Sequence, residues 1–136
     1  DSVAPFLADP AHGAFLLCHT SNPGAADLQH LELEGRPLYL HVAALARGWN
    51  TQDNLGLVVG ATYPEALEKV RAAAPELPFL VPGIGAQGGD LEAALRAGLD
   101  AQGRGLLVSS SREIIFAGDP RAAALRLRDA IDRARG

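Results

Sequence analysis

Several residue types are scarce in this sequence, and each shortage excludes a class of protein. The 136 residues include one cysteine, one lysine, one tryptophan and no methionine. A disulfide framework is excluded, and the place of Cys18 in the apolar run 14–18 predicts a buried, unreactive thiol in a reducing, cytoplasmic setting. No apolar run approaches the roughly 18 residues of a membrane span. No basic segment precedes an apolar one near the N-terminus, so we expect neither a targeting signal nor a membrane partner.

The charge pattern excludes a nucleic-acid partner. The net charge is −4, and the 12 Lys and Arg residues form no run that could follow a phosphate backbone. A hydrophobic content of 48% with 21% charged residues is typical of a folded globular chain. We therefore expect residues 1–136 to form one structural unit.

Strands alternate with helices along the chain. Four short apolar runs, at 14–18, 55–59, 79–81 and 106–109, are unbroken by polar residues, as in parallel strands covered on both faces. A helix is predicted after each run. The first predicted helix spans 37–49. In the second helix, Thr62 and Glu65 form a capping-box pattern at the start. In the third helix, Asp90 is the N-cap and Gly98 ends the helix. The fourth begins at Asp119 and Pro120 and buries a stripe formed by Ala123, Leu127, Ala130, Ile131 and Ala134.

Four successive strand–helix units predict an α/β fold with a parallel sheet. The sheet could be open and doubly wound, or it could be part of a barrel. A (β/α)₈ barrel needs about 250 residues, so four units correspond to about half of one. A small open α/β domain remains the alternative.

Ligands of such folds bind where the strands end, so the loops after the apolar runs are informative. The first loop contains Thr20 and Ser21, followed by Asn22, Pro23 and Gly24. Its hydroxyl and amide groups could hydrogen-bond a polar ring. They could equally satisfy the backbone of their own turn.

The third loop, residues 82–90, places glycines around Gln87 and leads into a helix. Free backbone N–H groups at a helix N-terminus favour a phosphate group. Gly83, Gly85 and Gly88 also match the G-x-G-x-x-G dinucleotide fingerprint. We discount that match because the acidic residue expected about 20 positions later is absent.

The fourth loop places Ser111 and Arg112 after the last strand. Barrels often bind phosphate between the loops of their last two strands, and an arginine fork suits a dianion. The alternative for Arg112 is a surface ion pair with Glu113 or Asp119.

Together these motifs resemble a known family. Residues 20–24 (Thr-Ser-Asn-Pro-Gly), 58–62 (Val-Val-Gly-Ala-Thr) and 82–89 (Pro-Gly-Ile-Gly-Ala-Gln-Gly-Gly) are similar to the strand-end motifs of bacterial orotidine 5′-monophosphate decarboxylases. The resemblance implies a TIM barrel, with this chain supplying its C-terminal half, strands five to eight. It further implies that Thr20 and Ser21 contact the pyrimidine, that Gln87 with Gly88 bridges ring and phosphate, and that Ser111 and Arg112 hold the phosphate.

The chain also departs from the family pattern. The family usually has Arg where this chain has His19, and Gly where it has Glu113. Its decarboxylation depends on an Asp/Lys network in a D-x-K-x-x-D-like motif, which is absent here. The only lysine, Lys69, is predicted to lie with Arg71 on a solvated helix face, so no catalytic residue is assigned. The four histidines show no spacing typical of a metal site or a catalytic triad.

The resemblance implies a lyase of pyrimidine biosynthesis that converts orotidine 5′-monophosphate to UMP and CO₂ without a cofactor. This chain alone is expected to bind substrate or UMP but to be inactive. We expect a homodimer or association with the N-terminal half of the barrel, because four strands leave an open face. Another phosphate-binding barrel enzyme and a non-catalytic, self-associating half-barrel remain alternatives.

Overall fold

The computed structural model describes residues 2–85 and 89–135. The order of elements alternates strands and helices, as the sequence predicts, with a few short additions. The strands are β1 Ala14–His19, β2 Glu32–Leu33, β3 Arg36–Pro37, β4 Leu55–Val59, β5 Phe79–Pro82 and β6 Leu106–Ser109. The helices are α1 Ala4–Leu7, α2 Leu38–Trp49, α3 Pro64–Ala73, α4 Leu91–Gly98, α5 Ser111–Ile115 and α6 Pro120–Arg135, and a 3-10 helix covers Pro23–Asp27. None of the helices in the described residues is long and apolar enough to cross a membrane.

The four long strands form one parallel sheet in the order β1-β4-β5-β6. This order follows the chain without reversal. A doubly wound sheet reverses its strand order at a switch point, so this sheet is wound in one direction only. Because crossovers between parallel strands are right-handed, α2, α3 and α4 lie on the same face. The predicted α/β class and parallel sheet are confirmed.

The helix-covered face of the sheet holds the core. The register aligns Leu16, Leu57, Phe79 and Leu106 in one row, and Leu57 and Phe79 are fully buried. The opposite face is open: Phe15 is 43% exposed, Leu17 58% and Leu107 48%. The expectation of strands covered on both faces is therefore wrong within this chain, because helices pack on one side only.

Two predicted helix boundaries are also wrong. Thr62 does not cap α3; the N-cap is Tyr63, because Pro64 occupies the first helical position, where its fixed φ and absent N–H suit a helix start. Gly98 does not follow α4 but is its last residue. A Cβ at Gly98 would press on the Leu106 side chain at 3.1 Å, so the glycine serves close packing of the helix on β6.

The other two predicted caps are confirmed. The Asp90 carboxylate accepts a hydrogen bond from the backbone N–H of Ala93, and Asp119 accepts one from Ala122, both at 3.0 Å. The predicted buried stripe of α6 is confirmed only in part. Ala123 is buried and Ala134 is exposed, because α6 packs against α4 and α5 at the edge of the sheet, where no further strand extends the surface.

The helix α3 differs from its prediction on one face. Lys69 is exposed, as expected, but Arg71 is only 9% exposed. Its guanidinium donates to the backbone oxygens of Gly98 and Leu77, each at 2.7 Å, and lies 3.7 Å from the centre of the Phe79 ring. Burial lowers the pKa of Arg71 below its usual range. The arginine thus joins three segments of the chain beneath the sheet.

Candidate functional site

The carboxyl ends of the strands lie along one edge of the sheet and are joined by backbone hydrogen bonds. The N–H of Gly60 donates to the carbonyl of His19, and the N–H of Ala61 donates to the carbonyl of Pro82, both at 2.9 Å. The loops after β1, β4 and β5 therefore have a fixed relation to one another.

Thr20, predicted to contact a ring, follows β1 directly and is held by Gln29. The Thr20 backbone N–H donates to Gln29 Oε1 at 2.9 Å, and Gln29 Nε2 donates to Thr20 Oγ1 at 3.0 Å. Sequence reasoning missed Gln29, whose contact depends on the fold of residues 21–30. Thr20 as a whole is half-buried at the edge of the sheet.

Ser21 lies against the end of the neighbouring strand. A Cβ on Gly60 would collide with Ser21 Oγ, so only glycine lets the two loops approach this closely. The serine is half-buried. Thr20 and Ser21 are thus placed together, as predicted, where the loops after β1 and β4 meet.

A pair of histidines, one buried and one exposed, lies behind Thr20. His19 is fully buried, and its Nε2 is 2.9 Å from His30 Nε2. The rings of Tyr39 and Tyr63 contact His19 edge-on. Burial lowers the pKa of His19, the charge of His30 lowers it further, and Glu65 opposes both effects. Sequence reasoning missed this pair because His30 is 11 residues away and no local pattern predicts the contact.

The buried thiol of Cys18 adjoins this cluster. Its Sγ is 3.2 Å from the carbonyl oxygen of Tyr39, and burial raises its pKa to about 12. A thiol with so high a pKa is a poor nucleophile at neutral pH. The predicted buried, free cysteine is confirmed.

The glycine loop after β5 is closed at its base. The N–H of Gly85 donates to the carbonyl of Gly89 at 3.1 Å, and the N–H of Gly89 donates to that of Gly83 at 3.0 Å. Gly83 and Gly85 have φ of 100° and 69°, which side-chain-bearing residues rarely adopt. The predicted ligand contacts Gln87 and Gly88 lie outside the described residues.

Ser111 and Arg112 line a cleft between this loop and the end of β6. Its volume is about 110 Å³, and its other walls are Pro82, Gly83, Ile84, Ser109 and Ser110. Pockets for whole drug-sized ligands are about 300–1,000 Å³. The cleft therefore suits one end of a ligand, and its arginine and hydroxyl groups suit an anion.

Glu113 lies on the other side of this wall. Ser110 Oγ donates to Glu113 Oε2 at 2.9 Å, and the carboxylate rests where a Cβ of Gly85 would be. It lines a separate cleft of about 380 Å³ beneath α6, together with Arg126. The acidic side chain next to Arg112 in sequence is therefore not a wall of the small cleft that Arg112 lines.

The predicted residues share one edge of the sheet but not one cavity. Thr20 and Ser21 follow β1, while Ser111 and Arg112 follow β6, three strands away. With neighbouring strands about 4.8 Å apart, the separation is about 14 Å along a flat sheet. An elongated ligand, with its ring at one end and its anionic group at the other, fits this arrangement.

The described residues hold no cluster of metal-ligating side chains. Within 2–85 and 89–135, no group of three or more His, Cys, Asp or Glu side chains is placed to hold a metal ion. Lys69 is exposed on α3, outside the loops at the carboxyl ends of the strands.

Comparison with known proteins identifies the family. The sequence profile of the orotidine 5′-phosphate decarboxylase / HUMPS family matches residues 2–127. The chain belongs to this family. The orotidine 5′-phosphate decarboxylase of Azoarcus sp. strain BH72 is 55% identical over 97% of this chain and 52% of its own length.

Solved structures of the orotidine 5′-phosphate decarboxylase / HUMPS family have the same fold. Leishmania donovani UMP synthase superposes with a TM-score of 0.97 at 55% identity, over 99% of this chain and 31% of that protein. Leishmania donovani OMP decarboxylase gives 0.94 at 51% identity, over 99% and 53%. The chain spans about half the length of the decarboxylases it matches. The four strands are about half of a (β/α)₈ barrel, as predicted.

The structure shows which groups surround the two residues that depart from the family pattern. His19, where the family usually has arginine, is fully buried and stacks on the exposed ring of His30. Glu113, where the family usually has glycine, accepts a hydrogen bond from Ser110. Neither residue lines the cleft that contains Arg112.

Proposed function

We propose that this chain is the substrate-binding part of an orotidine 5′-phosphate decarboxylase. The complete enzyme converts orotidine 5′-monophosphate to UMP and CO₂ in pyrimidine biosynthesis. The observation that carries the proposal is the small cleft of Arg112, Ser111 and the glycine loop, on the same edge as Thr20 and Ser21. Membership in the decarboxylase family supports it. Residues 1–136 then form the C-terminal half of the barrel domain.

The two ends of the edge take different parts of the nucleotide. Arg112 and Ser111 bind the 5′-phosphate, since a guanidinium and a hydroxyl complement its oxygens. Thr20 and Ser21 hydrogen-bond the pyrimidine. Gln87 and Gly88, from the motif at 82–89, also contact the nucleotide in this proposal, and Gln87 bridges its ring and phosphate.

The chemical step requires a group that this chain does not place at the edge. Loss of CO₂ leaves negative charge on the ring carbon, which a nearby ammonium would stabilise and protonate. Lys69 is exposed on α3 and does not meet this need. The chain therefore contributes binding, and the energy of the remote phosphate contact organises the site for the reaction.

The decisive experiment compares UMP with uridine by calorimetric titration of the intact protein. We expect UMP to bind more tightly, and Arg112→Ala to weaken UMP by about 1.5–3 kcal/mol, the loss of a charged hydrogen bond, with little effect on uridine. Arg47→Ala is the control, because Arg47 pairs with Glu76 near the end of α2. Equal affinity for UMP and uridine would contradict the assignment of the cleft.

The activity of the 136-residue chain is tested separately. Purified alone, it should not consume orotidine 5′-monophosphate, as followed by the loss of substrate absorbance. Mixed with the N-terminal half of a close relative, it should recover turnover. Decarboxylation by the chain alone would mean that a group within it performs the chemistry.

The family description also covers HUMPS proteins, so another phosphate-binding barrel reaction is the second candidate. Both would use Arg112 and the glycine loop, but only a nucleotide needs Thr20 and Ser21. Competition between UMP and ribose 5-phosphate separates them. Preference for the sugar phosphate would favour the second candidate.

The open face of the sheet requires a partner in this proposal. Each large apolar side chain that stays exposed lacks the roughly 1.5–3 kcal/mol of stabilisation that full burial would provide. We propose that the remaining strands of the barrel or a second copy of the chain covers it, in a cytoplasmic protein consistent with the free thiol of Cys18. Sedimentation velocity at micromolar concentration should show a complex or dimer. A compact monomer with a cooperative thermal transition would contradict this.

A further inference from the structure

We propose that Gln29 is a positioning residue that fixes the direction of the Thr20 hydroxyl proton, so that Thr20 offers a hydrogen-bond donor to the ligand. The inference rests on the proposed function, in which Thr20 meets the pyrimidine. It adds Gln29 to the candidate site and assigns a donor role to the Thr20 hydroxyl, and neither the motifs nor the family resemblance supplied these.

The orientation of the Gln29 amide follows from its contacts. A backbone N–H can only donate, so the group 2.9 Å from the Thr20 nitrogen must be the amide oxygen. The amide nitrogen then lies 3.0 Å from Thr20 Oγ1 and donates to it. The reverse bond, from the hydroxyl to the amide oxygen, would be longer at 3.3 Å. The shorter contact leaves the hydroxyl proton free to point away from Gln29.

Gln29 is itself held on both sides of its backbone. Its N–H donates to the carbonyl of Ala25 at 2.8 Å, and its carbonyl accepts from the N–H of Tyr39 at 3.1 Å. The next residue, His30, contacts His19, which precedes Thr20. Two consecutive side chains thus hold two consecutive residues at the end of β1. Such support is what keeps a binding group in one geometry.

A fixed proton direction gives the site a preference. The Thr20 N–H is already occupied by Gln29, so the hydroxyl is the hydrogen-bond donor that Thr20 has left for a ligand. Because Oγ1 accepts from Gln29, it is set to donate outward. Its matching group is an acceptor, such as a carbonyl oxygen of the pyrimidine ring.

The test measures binding of UMP and ribose 5-phosphate to the intact protein, the second ligand lacking the ring. Gln29→Glu keeps an oxygen that accepts from the Thr20 N–H but removes the donor to Oγ1. The hydroxyl proton of Thr20 then turns towards the new carboxylate. We expect this variant to bind UMP about three- to tenfold more weakly, which corresponds to the loss of one neutral hydrogen bond. Its affinity for ribose 5-phosphate should be unchanged. Gln29→Leu should lose no more than Gln29→Glu.

Two further variants separate positioning from general stability. In Thr20→Val the hydroxyl is gone, so adding Gln29→Glu should weaken UMP no further, as expected of coupled residues. Gln52→Leu removes a different structural glutamine, which donates to the Leu7 carbonyl at 2.7 Å. That control should lower the melting temperature and leave the ratio of the two affinities unchanged.

The outcomes distinguish this inference from the proposed function. Equal binding of UMP and ribose 5-phosphate by the wild type would overturn both. A wild-type preference for UMP that survives in Gln29→Glu would overturn the role of Gln29 alone. So would a Gln29→Glu variant that binds like wild type while Gln29→Leu fails, because Gln29 would then serve only as a tether for the loop.

Discussion

The two faces of the parallel sheet are built from the same strands and have opposite environments. On the helix-covered face Leu57, Val59, Phe79 and Val81 are all fully buried. On the other face Leu17, Phe15 and Leu107 are about half exposed. Successive side chains of a strand point to opposite faces, so an unbroken apolar run supplies both.

This difference shows what an apolar strand encodes and what it does not. The run at 55–59 predicts that both faces are removed from water in the functional protein. Helices of the chain itself cover one face. The open face is as apolar as the covered one, which is typical of a barrel interior rather than of a solvated sheet surface.

The largest expected effect compares one residue from each face. Phe79→Ala should reduce the free energy of unfolding by about 3–5 kcal/mol, because it leaves a cavity among closely packed neighbours. Leu17→Ala should change the stability of the dissociated monomer, studied at concentrations too low for self-association, by about 0.5 kcal/mol or less, as for an exposed position. Urea denaturation measures both. A large loss for Leu17→Ala would show that the open face is covered in solution.

The next effect sharpens the account of the covered face. Arg71→Lys should destabilise by about 1.5–3 kcal/mol, because a lysine cannot reach the separate carbonyls that the guanidinium contacts. The exposed Arg47, also on a helix, serves as control, and Arg47→Lys should leave the midpoint of denaturation nearly unchanged. Equal midpoints for the two variants would contradict a structural role for Arg71.

The sequence predicted the parts of the fold that are signalled by adjacent residues. Each long strand is an apolar run, and Asp90 and Asp119 cap the helices that follow them. The capping pattern of Thr62 failed because the neighbouring Pro64 is a stronger start signal. Arg71 was misplaced because its partners, such as Gly98 and Leu77, become neighbours only in the folded chain.

For the candidate site, likewise, the sequence predicted only the positions that follow from adjacent residues. The rule that ligands bind where parallel strands end placed Thr20, Ser21, Ser111 and Arg112 on one edge. No pattern connects Thr20 with Gln29, because the 3-10 helix folds back to bring them together. The short hairpin of β2 and β3, whose turn residues Glu34 and Gly35 have positive φ, was also missed. The ligand contacts assigned to Thr20, Ser21, Ser111 and Arg112, and to Gln87 and Gly88, stay predictions.

The smallest expected effect concerns the end of β1, where the covered core meets the site. The groups facing His19 are His30, Tyr39, Tyr63, Cys18 and, at longer range, Glu65. Two Nε2 atoms 2.9 Å apart share one proton, and a second proton would set two N–H groups against each other. Burial therefore keeps His19 neutral, with its pKa below the usual value of about 6.5.

The sign of the pH dependence follows from that lowered pKa. Below about pH 6.5 the unfolded chain binds a proton at His19 that the folded chain does not yet accept, so the free energy of unfolding falls as the pH falls. Above that pH the contribution is fully present. Melting temperatures at pH 7.5 and 5.5 should therefore differ less in His19→Gln than in wild type. His12→Gln is the control, since His12 is exposed and pairs with Asp9. If both variants keep the wild-type pH dependence, the buried His19 is not its source, and acid sensitivity must come from other titratable groups of the chain.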